Sequence, residues 1–232
     1  MSRGSAWIAA LAVIFCAANV HGQTLYSFEA PPVNPDGFGP NGGGITIAQD
    51  NVGVTDGLSS LRVNVVAGAT FVGALTGVVN PLINDPPGLS SLLFDMTVTQ
   101  PFTGGFAVVG VTIFGASQPG VGQQFGLQAQ FADTENIGGK APGTYTVQVD
   151  LSSATHPLTF AAAQSFNDIF GQVGSGANDL IPTGFQLLFN KSNDQALVVH
   201  IDNVRLIPEP ATFGLAALGC LGVAMIRRRS RG

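Results

Sequence analysis

The chain has 232 residues, of which only 10% are charged and 45% are hydrophobic, with a formal net charge of −5. Between residues 23 and 207 it carries 13 acids against four bases (Arg62, Lys140, Lys191, Arg205), a net of −9, while the arginines cluster at the two ends. This balance excludes a nucleic-acid binder, the apolar content excludes a disordered acidic tail, and the polar middle excludes a multi-span membrane protein.

Residues 1–22 read as a secretory signal peptide. Arg3 supplies the positive start, and Ala6 to Ala18 form an almost purely apolar run too short for a comfortable membrane span. Val20 and Gly22 then set up cleavage before Gln23. Cys16 lies in this run behind Phe15, a residue too large for a lipoprotein site.

From Gln23 to Ile207 the chain reads as short β-rich runs between turn clusters. Strands are predicted at 25–29, 44–48, 61–66, 71–79, 91–99, 106–114, 124–131, 144–151, 184–190 and 197–207. Leu61, Val63 and Val65 share one face against Arg62 and Asn64; Tyr145, Val147 and Val149 oppose Thr146, Gln148 and Asp150. Period-two patterning with one polar face predicts antiparallel sheets with one wet side. Turns are marked by Asn34-Pro35-Asp36-Gly37, Asp56-Gly57, Asp85-Pro86-Pro87-Gly88 and Ala141-Pro142-Gly143. One helix is predicted over Ala161–Phe170. The fold class that follows is all-β, a jelly-roll-type antiparallel sandwich in one domain, 23–207. Its two flanks, 1–22 and 208–232, are addresses rather than fold.

At the C-terminus Pro208-Glu209-Pro210 precedes 16 mostly apolar residues, Ala211 to Ile226, and then Arg227, Arg228 and Arg229. A helix of that length spans about 24 Å against a hydrocarbon core of about 30 Å, short enough to need snorkelling arginines. The positive-inside rule keeps those arginines cytoplasmic and the body outside. The order of body, PEP, apolar helix and arginine cluster resembles the PEP-CTERM sorting signal of Gram-negative bacteria that make exopolysaccharide. That resemblance implies an exosortase as partner and an inner-membrane-anchored precursor. It further implies cleavage near Pro208-Glu209-Pro210 and delivery to the cell surface or extracellular matrix. Both cysteines, Cys16 and Cys220, fall in these terminal segments, so the exported body holds no disulfide.

Catalytic motifs are absent from the sequence or out of context. Gly37-Phe38-Gly39-Pro40-Asn41-Gly42 matches G-x-G-x-x-G, but the internal Pro and the following glycines predict a loop rather than a dinucleotide site. No G-x-S-x-G, H-E-x-x-H or P-loop occurs. His156 precedes Pro157 in an extended or turn segment, and His200 reads as a satisfied sheet histidine opposite the Val199 and Ile201 face.

One constellation remains. Phe28-Glu29 lies near the start, Gly53-Val54-Thr55-Asp56-Gly57 with Ser60-Leu61-Arg62-Val63 follows, and Ile201-Asp202-Asn203-Val204 lies at the end. The set resembles the carbohydrate-binding, galactose-binding-like jelly rolls. The resemblance implies neighbouring first and last strands with a structural Ca²⁺ where they meet, and Glu29 and Asp202 as its carboxylate ligands. It also implies glycan binding, although sugar faces usually stack on Trp or Tyr. Here the single Trp, Trp7, lies in the signal peptide, and only Tyr26 and Tyr145 remain. The expected function is a non-enzymatic surface or exopolysaccharide-matrix protein. A structural or adhesive envelope protein without a glycan ligand, or a matrix polysaccharide hydrolase, stays open.

Overall fold

Alternating burial along the strands decides which side chains build the core. The computed structural model describes residues 23–29, 35–79, 89–103, 105–117, 127–151, 180–192 and 195–208. Among them are β1 (Gln23–Tyr26), β2 (Phe38–Asn41), β3 (Ile45–Asp50), β4 (Ser60–Val65), β5 (Phe71–Thr76) and β6 (Leu89–Val98). The remaining strands are β7 (Ala107–Ser117), β8 (Leu127–Asn136), β9 (Gly143–Asp150), β10 (Leu180–Lys191) and β11 (Leu197–Pro208). No α-helix occurs among the described residues; the helix expected over 161–170 lies outside them, as do residues 1–22 and 209–232, whereas Pro208, expected to open the sorting segment, closes β11.

Sheet A runs β3-β4-β11-β6-β9 with β1 added to β11, and sheet B runs β2-β5-β10-β7-β8. Every pairing between these strands is antiparallel. The all-β antiparallel sandwich expected from the sequence is therefore what the structure shows. The inner faces meet through fully buried Leu61, Val63 and Val65 of β4, Val109 and Val111 of β7, and Phe185, Leu187 and Phe189 of β10. Each such side chain contributes roughly 1.5–3 kcal/mol of transfer free energy.

Two departures from the sequence expectation have physical reasons. Phe38–Asn41 pairs with β5 as strand β2, where the glycine-rich motif predicted only loop. Pro40 is compatible with that strand because β2 is the sheet's edge, and a residue without an N–H leaves no ladder bond unmade on the open side. β10 begins at Leu180, four residues before its predicted start, because a bulge between Pro182 and Gly184 interrupts the pattern.

β1 is only four residues long, yet an aromatic group fastens it to the opposite sheet. The Tyr26 ring lies 5.1 Å from Phe38 in edge-to-face geometry and 5.3 Å from Phe185. Phe28 lies 5.4 Å from Phe38. Such pairs add about 0.5–1.5 kcal/mol each beyond the area they bury. β11 serves as the spine of sheet A. β6 covers one of its edges; the other is divided, with β4 pairing Leu197–Ile201 and β1 pairing Val204–Leu206.

Candidate functional site

The three segments of the sequence constellation converge where β11 passes from β4 to β1. The β3–β4 connection, residues 51–59, fills this junction. Asp202 is fully buried, and its Oδ2 accepts from the Thr55 N–H (2.6 Å), the Asp56 N–H (2.8 Å) and the Thr55 hydroxyl (3.1 Å). Its Oδ1 accepts from the Asn203 N–H at 2.7 Å. Asn203 takes a left-handed φ of 51°, a conformation that Asn tolerates better than most residues, at a bulge in the β11–β6 register. Glu29 grips the same connection further along, with Oε1 accepting from the Leu58 N–H (2.8 Å) and the Ser59 N–H (3.0 Å). A Cβ on Gly57, at φ +78°, would collide with that carboxylate. Asp36 and Gln49 pin the exit of β1: Asp36 Oδ2 accepts from the Ser27 and Phe28 N–H groups, and the Gln49 amide donates to the Phe28 and Glu29 carbonyls.

Opposite Asp202 in the β6–β11 register stands a second buried acid, Asp95. Two like charges directly across a sheet repel, so each needs donors. Asp95 has the Arg205 guanidinium (3.1 Å), the Thr146 hydroxyl (2.8 Å), the Asn203 amide (3.1 Å) and the Thr55 hydroxyl (3.0 Å). Burial raises its pKa, but the bonds from Thr146, Arg205 and Thr55 outweigh burial and hold the carboxyl below the usual range. Asp202 has no ion-pair partner among the described residues, and burial wins over its backbone bonds, so its carboxyl is pushed up. The Thr55 hydroxyl lies between the two acids with one proton to give.

These contacts test the Ca²⁺ expectation. Among the described residues no group of three or more His, Cys, Asp or Glu side chains is placed to hold a metal. Glu29 and Asp202 grip different parts of the connection, and N–H donors already face both carboxylates. A cation needs lone pairs from several oxygens converging on it. The residues present fit a hydrogen-bonded latch, not a cation shell.

His200 is only partly satisfied. Its Nε2 lies 3.3 Å from Asp50 Oδ2, but Nδ1 is buried with no partner among the described residues, and burial depresses the imidazole pKa more than Asp50 raises it. His156 lies outside the described residues. Tyr26 belongs to the core, and Tyr145 is half-buried under Lys140, whose Nζ lies 4.4 Å from the ring centre.

Exposed aromatic surface occurs elsewhere, on the outer face of sheet B. Phe71 opens β5 opposite Asn190 of β10, and Phe106 precedes β7 on the other side of β10. Both rings face water, at 59% and 52% exposure. Asn190 and Val108, paired across β10 and β7, lie half-buried between them. Further along the face Gln186 accepts from the Asn41 amide at 2.8 Å, and a Cβ on Gly73 would collide with the Gln186 side chain. Gln186 is itself buried, so the amide beside the two flat apolar rings that a ligand could reach is that of half-buried Asn190. The sequence placed Phe71 and Phe106 only as residues of apolar strand runs; the sheet register is what sets them on one face.

Comparison with solved structures finds β-sandwiches of carbohydrate-binding modules. A family 11 carbohydrate-binding module of a cellulosomal cellulase of Clostridium thermocellum aligns at 16% identity and a TM-score of 0.48, covering 82% of this chain and 96% of that one. The non-crystalline-cellulose-specific module CBM28 aligns at 16% identity and a TM-score of 0.47, covering 82% and 97%. The xylan-binding domain CBM22-1 of Paenibacillus barcinonensis Xyn10C aligns at 11% identity and a TM-score of 0.40, covering 81% and 95%. No curated protein matches the sequence. At the C-terminal end, residues 206–229 match the PEP-CTERM protein-sorting motif, so the chain carries that sorting signal.

Proposed function

We propose that this is an exported, non-catalytic protein of the cell surface or exopolysaccharide matrix. Its sorting signal is processed by an exosortase, and its body binds glycan on the outer face of sheet B. The sorting motif supports the export half of this reading. The observation that carries the glycan half is the pair of exposed rings, Phe71 and Phe106, flanking Asn190 on one sheet face. A sugar ring offers an apolar C–H face to such a surface and hydroxyls to the amide beside it. The non-catalytic half is supported by the two facing acids: Asp95 and Asp202 are buried and bonded to donors of the fold, so this pair is not open to a substrate.

The test is retention of the purified exported protein on cellulose, xylan and the producing cell's own exopolysaccharide. Phe71→Ala with Phe106→Ala should weaken retention about tenfold, as expected for losing about 1–1.5 kcal/mol of stacking. Both rings are exposed, so the fold survives their truncation. Retention on none of the three polymers ends the glycan reading in favour of an adhesive or structural role. Retention indifferent to both substitutions moves the site off this face.

A further inference from the structure

The sorting motif begins inside the folded body. Pro208, its first proline, is the last residue of β11 and is registered opposite Leu89 of β6. On the other edge of β11, Gln23 is registered opposite Leu206. Since β1 and β11 are antiparallel, the start of one and the end of the other share one end of sheet A. The two apolar runs of the sequence, 6–18 and 211–226, join this same end through only residues 19–22 and 209–210.

The exposed rings lie at the opposite end. β4 finishes at Val65, opposite Leu197 at the start of β11, and Phe71 follows after one short connection. Ser192, just before β11, donates its N–H to the Phe106 carbonyl. β11 has twelve residues, so the rings stand about 40 Å along the strand direction from Pro208.

A peptidase takes its substrate as an extended chain with both backbone edges open to the enzyme's own groups. Residues 206–208 do not offer that. β6 holds one edge of β11 as far as Pro208, and β1 holds the other as far as Leu206. The ladder must open before the residues upstream of the motif can enter a cleft. Strand ends are where such opening costs least.

We propose that the Gln23–Pro208 end of sheet A is the face the precursor presents to its membrane-embedded processing peptidase. Cleavage at the motif requires Ile207 and Pro208 to peel from β6. The apolar run 211–226 leaves from this one end, so the precursor is held at its Pro208 end and carries its aromatic end away from the membrane. This inference rests on the sorting half of the proposed function and is independent of the glycan half.

The experiment uses the full-length chain in the producing cell, with processing followed by pulse-chase. A Gly/Ser spacer of about ten residues between Ile207 and Pro208, roughly 17 Å of mean reach, frees the motif from the ladder. It should speed processing roughly fivefold, the factor for no longer breaking about one net hydrogen bond. Ser91→Cys with Ile207→Cys, at facing positions of β6 and β11, should do the reverse: the oxidised chain is cleaved more slowly and reductant restores the rate. A processing rate unchanged by the spacer, or by the cross-link once a gel shift shows it formed, overturns the proposal. A native chain never cut at the motif removes the sorting reading itself. Loss of polysaccharide retention with the spacer effect intact touches only the glycan reading.

Discussion

At the β11 junction two buried carboxylates accept hydrogen bonds from backbone and side-chain donors on β9, β11 and the 51–59 connection; at the far end of sheet B two phenyl rings face water. Both places break the usual rule of polar outside and apolar inside, in opposite directions. A buried polar group whose donors are all internal is structural, since nothing external can improve it. Exposed apolar surface keeps an unspent driving force and marks a place of contact. The difference separates the residues that hold this body together from those proposed to meet a ligand, and it is open to direct attack.

The largest effect should come from Asp202→Ala. Removing the side chain leaves the Thr55, Asp56 and Asn203 N–H groups without their acceptor and frees the 51–59 connection. The expected cost is about 3–5 kcal/mol, or a fall in Tm of roughly 10 °C or more for a domain of this size. Polysaccharide retention by the fraction that remains folded should not change. A variant that melts normally would show that Asp202 is not the anchor of the junction.

Arg205→Met should cost less, about 2–3 kcal/mol, because the guanidinium is partly exposed and its loss is partly screened. What it leaves is Asp95 facing Asp202 across the ladder with no cation near. The effect should shrink when Asp95→Asn is added, since the repulsion goes with the charge. Equal losses with and without Asp95→Asn would mean that Arg205 acts by packing alone.

Much of this was legible in the sequence, and what was not has identifiable causes. Each of the ten predicted strands overlaps an observed one, though 25–29 shares only Leu25 and Tyr26 with β1; alternation such as Leu61, Val63 and Val65 records a one-sided face directly. β2 was hidden by the glycines around Phe38 and by Pro40, whose acceptability depends on being at an edge that only the fold defines. The junction was half legible. Glu29, Thr55, Asp56 and Asp202 stood out as a pattern, but Asp95 lies inside the apolar run Leu92-Leu93-Phe94-Asp95-Met96. Only register shows that it faces Asp202. A lone acid in such a run is a signal in itself, since it must find donors once buried. Phe71 and Phe106 carried no signal, because a Phe at a strand end looks the same whether it points inward or out.

Acid should separate the two regions next. His200 has its pKa lowered by burial, so the fold holds it neutral; that contribution is complete above pH 6.5 and is lost as pH falls through the depressed value. Asp95, with its pKa lowered, keeps its contribution above 3.8 and loses it only below. Asp202, with its pKa raised, runs the other way: it favours folding below 3.8 and loses that as pH rises through its higher value. Denaturant titrations should therefore show stability falling as pH drops below 6.5. His200→Gln should flatten that slope while leaving the slope below 3.8 in place. Identical slopes in wild type and variant would move the acid response to other groups. The proposed binding at the Phe71 and Phe106 end rests on rings and an amide that do not titrate, and should stay flat while the fold holds.

The smallest effect expected is that of a chelator. An ion that bound only the folded body would stabilise it by RT ln(1 + [L]/Kd), about 2.7 kcal/mol at a hundredfold excess over Kd. Stripping it would cost roughly 5–10 °C in Tm. The junction instead closes with protein donors. The Asp202 carboxylate takes the 55–56 amides, Glu29 takes the 58–59 amides, and the Gln49 amide takes the Phe28 and Glu29 carbonyls that would otherwise suit a hard cation. A chelator should accordingly shift Tm by no more than about 1 °C, and added Ca²⁺ should not raise it. Gln49→Ala should lower Tm by several degrees in either buffer, because it frees both carbonyls at once. A chelator-dependent loss of several degrees that Glu29→Gln and Asp202→Asn each abolish would make those carboxylates ion ligands. The latch would then be a cation site, and Gln49 its second support.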